Sequence, residues 1–321
     1  MSWKAGALHG VPFGVVLAMI ASLTPLVGIG GCNPPPATTV TDSGPREDSG
    51  PIAQPVVATT AGTVNLGCVG TATVPAPTTM TSGTFHIQEF LSMAPITGDR
   101  IDIFTNGVIT DGCAAPDCTT YTTSGTGDVA LTLGTGAWFA YRLAVSGQTA
   151  AVLGYDQPWV STSGQLPGYG FAPGTITAVG MLFMRDFQAD RYGSMSGRVV
   201  DCAGQPLANV RMRVFVDGTE VVNGPLADRT SARITGIEAP NPTRSGLTGA
   251  SGNFAGANIP PSGDCHVEAW ATRTEGALPE LIGCSEGRVL VGGITISVVS
   301  GLRGDYPAGS RCAAAALAAR H

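Results

Sequence analysis

Charged residues are scarce in this sequence. Asp, Glu, Lys and Arg together make up 12% of the 321 residues, which is about half of their share in an average soluble protein. The acidic residues outnumber the basic ones by 23 to 17, so the formal net charge is −6. Because a protein that binds nucleic acid must neutralise phosphates with basic side chains, this balance argues against DNA or RNA as a partner.

The sequence also lacks the patterns of a metal site or an active site. Beyond residue 31 its only histidines are His86, His266 and His321, and no Cys-x-x-Cys pair of the kind found in zinc sites is present. We expect His86 and His266 to be solvated strand residues. The segment Gly283-Cys284-Ser285-Glu286-Gly287 matches the Gly-x-Ser-x-Gly motif of serine hydrolases, which requires a helix after the serine and a later histidine.

Residues 288–299, which follow that segment, alternate like a strand, and the only later histidine is His321, the last residue. We therefore interpret the motif as a turn that carries a disulfide cysteine. The sequence predicts no catalytic residues, no cofactor and no bound metal. A hydrolase is kept as a remote alternative.

The N-terminal residues have the features of an export signal. Lys4 and the amino terminus are positive, and residues 11–27 are uncharged and mostly apolar. A transmembrane helix is the alternative, but it needs about 20 consecutive apolar residues, and Pro12 and Pro25 interrupt this run. We interpret residues 1–31 as a signal peptide that is removed on export.

The signal ends in Ile29-Gly30-Gly31-Cys32, which resembles the lipobox of bacterial lipoproteins. The resemblance implies that Cys32 is acylated and anchors the chain in a membrane, where each buried methylene contributes about 0.8 kcal/mol. It also implies, because Asn33 rather than Asp follows the cysteine, that the outer membrane is the destination. Residues 32–55 are rich in proline and threonine and poor in apolar residues, which predicts a disordered tether.

The remaining composition favours β-structure. Glycine (45 residues) and proline (23 residues) are abundant, and apolar residues alternate with a period of two, as in the run Val210, Met212, Val214 and Val216. No amphipathic helix is evident after the signal, apart from the alanine-rich residues 313–319. Since 290 residues follow the signal, the length is enough for two domains. We expect β-sandwich modules over residues 56–186 and 187–312 and a tail over 313–321.

The two modules resemble each other in the order of their motifs. The first copy supplies residues 81–83, 100–104 and 123–129, which match residues 195–197, 211–215 and 248–254 of the second copy. The matching order indicates that the chain contains a repeat.

The second copy carries a more specific pattern. The turn Gly204-Gln205-Pro206-Leu207 and the later hairpin Ser251-Gly252-Asn253-Phe254 resemble the carboxypeptidase regulatory-like domain, and the resemblance covers residues 194–298. It implies a seven-stranded, transthyretin-like Greek-key sandwich that accompanies enzymes and surface proteins without doing chemistry itself. The first copy departs from this pattern, because Ala94-Pro95-Ile96 lacks the preceding glycine.

Seven cysteines besides Cys32 agree with export to an oxidising compartment. They are Cys68, Cys113 and Cys118 in the first half and Cys202, Cys265, Cys284 and Cys312 in the second half. Cys113 and Cys118 are the expected local pair. The four cysteines of the second half predict two disulfides, with three possible connectivities that the sequence does not separate. Cys68 is then free or paired elsewhere.

Aromatic residues between the modules give the remaining functional signal. Trp159, Tyr169 and Phe171 lie in a stretch full of glycine and proline, where exposed rings would stack on a sugar or contact a partner. We favour the other interpretation, in which they close the open end of the first sandwich. The sequence therefore predicts a non-catalytic envelope lipoprotein that serves as a structural or adhesive scaffold. Its partners are the membrane, through the lipid, and an envelope protein or a glycan; carbohydrate binding is the alternative function.

Overall fold

The computed structural model describes residues 56–73, 79–90, 92–147, 149–159, 165–182, 185–224, 227–238, 241–242 and 246–319. The signal, Cys32 and the tether lie outside the described residues, so the anchor stays an expectation. Seven strands precede the first helix: β1 (Met80–Glu89), β2 (Arg100–Phe104), β3 (Cys118–Thr122), β4 (Asp128–Gly134), β5 (Trp138–Leu143), β6 (Val152–Pro158) and β7 (Gln165–Gly170). The helix α1 (Pro173–Leu182) follows.

The second half begins with β8 (Gly193–Val199), β9 (Arg211–Val216), β10 (Thr219–Glu220), β11 (Arg233–Glu238) and β12 (Asn241–Pro242). It ends with β13 (Asn253–Ile259), β14 (Ser262–Ala271), β15 (Glu280–Val289), β16 (Ile294–Val299) and the helix α2 (Arg311–Ala318). The fold is all-β and built from sandwiches, as the sequence predicts.

The two sandwiches have the same topology. In the first, the sheet β4-β1-β7 faces the strands β3-β2-β5-β6; in the second, β13-β8-β16 faces β10-β9-β14-β15. The orientations also agree, because β7 is parallel to β1 and β16 is parallel to β8, whereas the other neighbouring pairs within each sandwich are antiparallel. The strands β11 and β12 extend the second copy beside β13. Each copy is therefore one seven-stranded unit.

A buried threonine makes the same contacts in both copies. The Oγ1 atom of Thr123 accepts a hydrogen bond from the Asp99 backbone N–H, and that of Thr248 accepts one from the Val210 N–H, each at 3.0 Å. Both threonines are almost fully buried. A buried backbone N–H without a partner costs free energy, so keeping this pair in both copies preserves the turn.

A glycine with positive φ follows each of these threonines. Gly127 (φ 78°) and Gly252 (φ 68°) accept backbone hydrogen bonds from Ile87 and Val199 at 2.8 and 2.9 Å. A Cβ atom at either position would lie 2.4–2.5 Å from the backbone oxygen of Ile87 or Val199. Both the φ value and the close approach require glycine, so these equivalent positions support a duplication.

The register of β1 and β8 differs from the match made on sequence. Phe85 pairs with Val129, and Gly197 pairs with Phe254, so Phe85 and Gly197 are equivalent and the assignment of Gly83 to Gly197 was out by two residues. The two copies carry the aromatic ring on different strands at this position. In the first copy the ring is Phe85 of β1. In the second copy it is Phe254 of β13, and a Cβ at Gly197 would lie 2.6 Å from it.

The two sandwiches share one sheet. The strand β16 pairs in parallel with β6, from Ile294 opposite Val152 to Ser297 opposite Tyr155, and this pairing makes a nine-stranded sheet. Ile294 contacts the first hydrophobic core, whereas Val299, which faces the opposite side of the same strand, belongs to the second core. The first core therefore lies on one face of the shared sheet and the second core on the other.

Residues 56–73 lie against the second sandwich, although the sequence assigned them to the first module. Ala58 and Leu66 are part of the second core, and the Ala58 backbone N–H donates to the Thr272 carbonyl at 2.9 Å. Asp201 accepts the Asn65 N–H at 3.0 Å. The chain therefore packs on the second sandwich before it enters the first.

The disulfides differ from part of the expectation. The structure has Cys68–Cys202, Cys113–Cys118 and Cys284–Cys312. The prediction of two disulfides within the second half was wrong, because Cys202 pairs with Cys68 and Cys265 is a free thiol. Cys265 points from β14 into the second core, and burial raises the pKa of its thiol to about 12. Cys202 pairs with Cys68 because residues 56–73 lie against the second sandwich and bring Cys68 next to it.

Both helices pack on the sandwiches, and Ile176 of α1 is part of the first core. The helix α1 was not predicted, because its residues are apolar without an amphipathic stripe; it contacts β13. The helix α2 begins after the N-cap Ser310 and packs on β15, where the disulfide to Cys284 holds it. Neither helix of the described residues has the length and apolarity to cross a membrane.

We predict that the Cys68–Cys202 disulfide contributes more to stability than Cys113–Cys118. It closes a loop with a sequence separation of 134 residues, against 5 residues for Cys113–Cys118. Loop entropy then gives about 5 kcal/mol for the long loop and about 2 kcal/mol for the short one. Denaturant unfolding of the Cys68→Ser/Cys202→Ser variant measures the loss, with Cys113→Ser/Cys118→Ser as the control. An equal or larger loss in the control would contradict the larger contribution of Cys68–Cys202.

Candidate functional site

The aromatic residues that were considered as an alternative glycan site fill the first sandwich. Trp159 and Phe171 are 3% and 2% exposed, and the Trp159 indole N–H donates to Thr81 Oγ1 at 3.0 Å. Phe171 stacks on Phe90 at 4.8 Å, and Tyr169 packs edge-on against Phe90. Since stacking on a sugar needs exposed ring faces, the alternative of a glycan site does not hold. The structure agrees with the favoured interpretation, in which the rings close the sandwich.

The Gly-x-Ser-x-Gly segment lies within β15 rather than at a turn, which corrects the interpretation above. Ser285 is 2% exposed, and its hydroxyl donates to the Asp156 carboxylate. Cys284 points to the outer face, where it forms the disulfide with Cys312. A nucleophile elbow needs an exposed serine between a strand and a helix, so this segment has the wrong geometry for hydrolysis.

The two histidines of the described residues have internal partners. The His86 Nδ1 atom lies 2.7 Å from Asp128 Oδ1. His266 is 6% exposed and stacks on Phe215 at 4.6 Å, so the expectation of a solvated residue was wrong for His266. No cluster of three or more His, Cys, Asp and Glu side chains suited to a metal ion occurs among the described residues.

An aromatic and charged ladder on the outer face of β9 and β14 was missed by the sequence reasoning. The guanidinium of Arg213 lies over the rings of Phe215 and Trp270, at 4.9 and 5.6 Å. Glu268 lies 3.6 Å from Arg213 and accepts the Trp270 indole N–H at 2.7 Å. The alternation of these residues with the inward apolar ones carried the signal. Because internal partners occupy the ring faces, the ladder stabilises the sheet.

The junction of the two sandwiches contains a strained carboxylate. Asp156 in β6 has φ 54°, at a register shift in the pairing of β5 with β6, and positive φ is uncommon outside glycine. Its side chain accepts the Ser285 hydroxyl of β15. Burial raises the pKa of the Asp156 carboxyl to about 6, against the Ser285 hydrogen bond and the Arg303 charge, which lower it.

A long loop of the first sandwich forms the candidate functional site. Strands β2 and β3 are connected by residues 105–117, whereas the equivalent strands β9 and β10 are connected by Asp217 and Gly218 alone. The Cys113–Cys118 disulfide joins the last part of this loop to the first residue of β3. It lines a cavity of about 300 Å³, with the lining residues Phe104, Asn106, Val108, Thr110, Gly112, Ala114, Ala115, Asp117 and Cys118.

An ionic network fixes the loop to the sheet. Arg142 Nη1 donates to the carbonyl oxygens of Thr110 and Asp111, at 2.7 and 2.9 Å, while Nη2 of the same residue binds Asp102 at 2.7 Å. Burial acts to raise the pKa of Asp102, but hydrogen bonds from Thr120, Arg142 and Arg100 outweigh it and hold this pKa below its usual value. The loop is therefore held by the donor Arg142, which the buried Asp102 carboxylate binds in turn.

Comparisons with known proteins give structural similarity only. No known protein family matches the chain, and no curated protein is similar to it in sequence. The minor pilin GBS52 of the gram-positive pathogen Streptococcus agalactiae is 12% identical, with 72% of this chain and 99% of that chain covered and a TM-score of 0.22. The shaft pilin SpaA from Lactobacillus rhamnosus GG is 12% identical over 71% and 100% of the two chains, with a TM-score of 0.22.

A streptococcal ancillary pilin is 10% identical over 70% of this chain and 63% of that chain, with a TM-score of 0.21. Identities and TM-scores this low establish neither a family nor a shared function. The function therefore has to be argued from the residues of this chain.

We predict that Asp156→Asn stabilises the protein above pH 6. Because the pKa of Asp156 is raised by folding, to about 6, the folded state binds the proton more tightly, and stability falls as the pH rises from about 4 to about 6. The neutral amide also tolerates positive φ. Urea unfolding at pH 7.5 should show a gain on the order of 1–2 kcal/mol and no gain at pH 4.

Asp190→Asn is the matched control for this prediction, since the Asp190 side chain is 78% exposed and its loss removes the same charge from the surface. A variant Asp156→Asn with the pH profile of the parent would show that the junction carboxylate is not the titrating group.

Proposed function

We propose that this chain is a non-catalytic lipoprotein of the cell envelope, anchored in the outer membrane through a lipid on Cys32. Its two sandwiches act outside the cytoplasm as a structural or adhesive scaffold. The sequence order of signal, lipobox and tether supports the anchor. The three disulfides support an oxidising compartment.

The shared sheet is the observation that carries the scaffold proposal. Two modules joined by a flexible linker would move independently, whereas here the β6 and β16 strands are paired and the cores lie on both faces of one sheet. The charged and polar side chains described above bind one another and do not line a cleft. A rigid unit of this kind suits a spacer or a presenting module.

The fastening of residues 56–73 adds a mechanical property to this proposal. Since the tether precedes residue 56, a pull from the membrane would reach the second sandwich through the Cys68–Cys202 disulfide. The chain enters the first sandwich only after residue 73, so a pull between the membrane and the loop at residues 105–117 would enter the first sandwich from the second, through the shared sheet.

The two other functional classes have less support. Glycan binding loses the Trp159 and Phe171 rings, which are buried. Hydrolysis loses Ser285, whose hydroxyl is bound to a carboxylate inside the protein. Neither alternative is favoured by another observation on the described residues.

We predict that Cys32→Ala abolishes lipidation, because the thiol of Cys32 is the acylated group in the proposed anchor. Cells that express the parent, the variant and Asn33→Ala would be labelled with a fatty-acid analogue, and the label on the protein would be measured. Asn33→Ala controls for changes beside the cysteine and should keep its label. Equal label on Cys32→Ala and the parent would exclude the anchor.

A further inference from the structure

The outer edge of β4 is open, whereas its counterpart in the second sandwich is covered. Because Phe85 and Gly197 are equivalent, residues 129–131 of β4 correspond to residues 254–256 of β13. In the second sandwich, β11 pairs antiparallel with those residues of β13. In the described part of the chain, β4 has β1 as its only neighbouring strand.

The exposure of equivalent residues differs between the copies in the same way. Ala255 of β13 is 1% exposed, whereas the equivalent Ala130 and the nearby Thr132 of β4 are exposed. The strand β3 is also at a sheet edge, but so is its counterpart β10. The open edge that distinguishes the first copy is therefore the edge of β4.

The backbone groups at this edge follow from the pairing of β4 with β1. The Thr135 N–H donates to the Thr79 carbonyl at 2.8 Å, next to the pairs that define the register of the two strands. Because hydrogen-bonding groups alternate between the two sides of a strand, the odd-numbered residues of β4 bind β1. The N–H and C=O groups of Ala130 and Thr132 therefore point away from β1, towards the open edge.

This edge lacks the features that prevent strand edges from pairing. Proteins protect such edges with proline, lysine or a bulge, and β7 and β12 contain Pro167 and Pro242. The strand β4 has no proline and no basic residue, and its pairing with β1 shows no shift of register. Its one charged residue, Asp128, is at the end of the strand, where His86 Nδ1 lies 2.7 Å from it.

The backbone of β4 is complementary to the same strand of a second copy. In an antiparallel pair with Leu131 on the two-fold axis, Ala130 lies opposite Thr132 of the partner subunit. The outward N–H and C=O groups of these two residues then bond each other, as in the hydrogen-bonded pairs of an antiparallel sheet. A two-fold axis repeats the same bonds on its other side.

The side chains agree with this register. Val129, Leu131 and Leu133 all belong to the first core, and the register places each of them opposite an inward apolar residue of the partner. Asp128 lies opposite a glycine, Gly134, so no like charges meet across the axis. Another protein would have to supply a strand of matching alternation, which a second copy always does.

We propose that two copies of this chain associate through the outer edges of β4 and so form one continuous sheet from the two β4-β1-β7 sheets. The contact uses main-chain hydrogen bonds in the way that β11 binds β13 inside the chain. Since contact along one strand is small compared with a standard interface, we expect a dissociation constant in the micromolar range.

Charge variants of the two exposed residues test this register. Ala130→Lys/Thr132→Lys places lysine opposite lysine and should weaken the dimer about tenfold or more, whereas Ala130→Lys/Thr132→Glu places lysine opposite glutamate and should stay within about threefold of the parent. Sedimentation velocity of the purified full chain in detergent measures the dimer, and circular dichroism checks the fold. A parent that is monomeric at about 100 μM, or equal losses in the two variants, would overturn the proposal.

The result does not depend on the proposed function. Association through the lipid anchor would affect the parent and both variants alike, so only a difference between the variants reports on β4.

Cross-linking in cells tests the identity of the partner. Ala130→Cys and Thr132→Cys chains with different tags would be expressed together and treated with a short thiol cross-linker, because opposite residues lie about 5.5 Å apart between their Cα atoms. The native cysteines of the described residues are in disulfides or, for Cys265, buried. We expect the mixed pair to cross-link more than either variant alone.

Val145→Cys is the control for random collisions, because Val145 is 72% exposed and lies away from β4. Equal cross-linking of this control would overturn the contact. Cross-linking of Thr132→Cys to other proteins without any dimer would overturn the second copy as the partner and would indicate a strand of another protein.

Discussion

The parallel pairing of β16 with β6 is the interaction on which the architecture depends. Without it, the chain would be two sandwiches with separate edges. With it, four pairs of residues, from Ile294 to Ser297 on β16, join two sheets into one. The two cores then lie on opposite faces of this sheet. Each strand edge satisfies the backbone groups of the other, so the junction is held by main-chain hydrogen bonds as well as by side chains.

The side chains at this junction are adapted to the close approach of three strands. Gly287 of β15 faces the Tyr155 ring, where a Cβ atom would lie 3.2 Å from the ring. The neighbouring Asp156 adopts positive φ and binds Ser285. A partly buried carboxylate with a raised pKa costs stability at neutral pH. The packing of the strands around Asp156 therefore maintains this contact, since the contact itself is not favourable at that pH.

Local patterns predicted the strands but not their partners. The run Val210, Met212, Val214 and Val216 is fully in the second core, because a period of two identifies the inward face of a strand. The same pattern contains no information on which edge meets which, so the β6–β16 pairing was out of reach. The repeat was detected, but the predicted alignment of β1 with β8 was wrong by two residues. It failed where the ring is Phe85 of β1 in the first copy and Phe254, opposite Gly197, in the second.

The candidate site was predictable in part. The spacing of Cys113 and Cys118 indicated a short loop closed by a disulfide, which the structure contains. The cavity was not predictable, because its floor is Phe104 at the end of β2, and Arg142, which fixes the loop, comes from β5. The glycan alternative for Trp159, Tyr169 and Phe171 failed for a similar reason. The sequence shows that the rings are present but not which core they fill.

The β15 and β7 edges, which are equivalent to the paired edges of β6 and β16, have other surroundings. The edge of β6 receives β16, and the equivalent edge in the second copy belongs to β15. There the C-terminal residues take its place: the Leu302 N–H donates to the Ile282 carbonyl at 2.6 Å, and Tyr306 donates to the Cys284 carbonyl at 2.7 Å. The equivalent of β16 in the first copy is β7, which contains Pro167.

Proline lacks the N–H that a sheet edge needs for further pairing, and a covered edge has no free groups to offer. The C-terminal residues thus occupy part of the β15 edge, and Pro167 removes one donor from β7, so both edges are less suited to pairing with a further strand than the β6 and β16 edges that join the two copies.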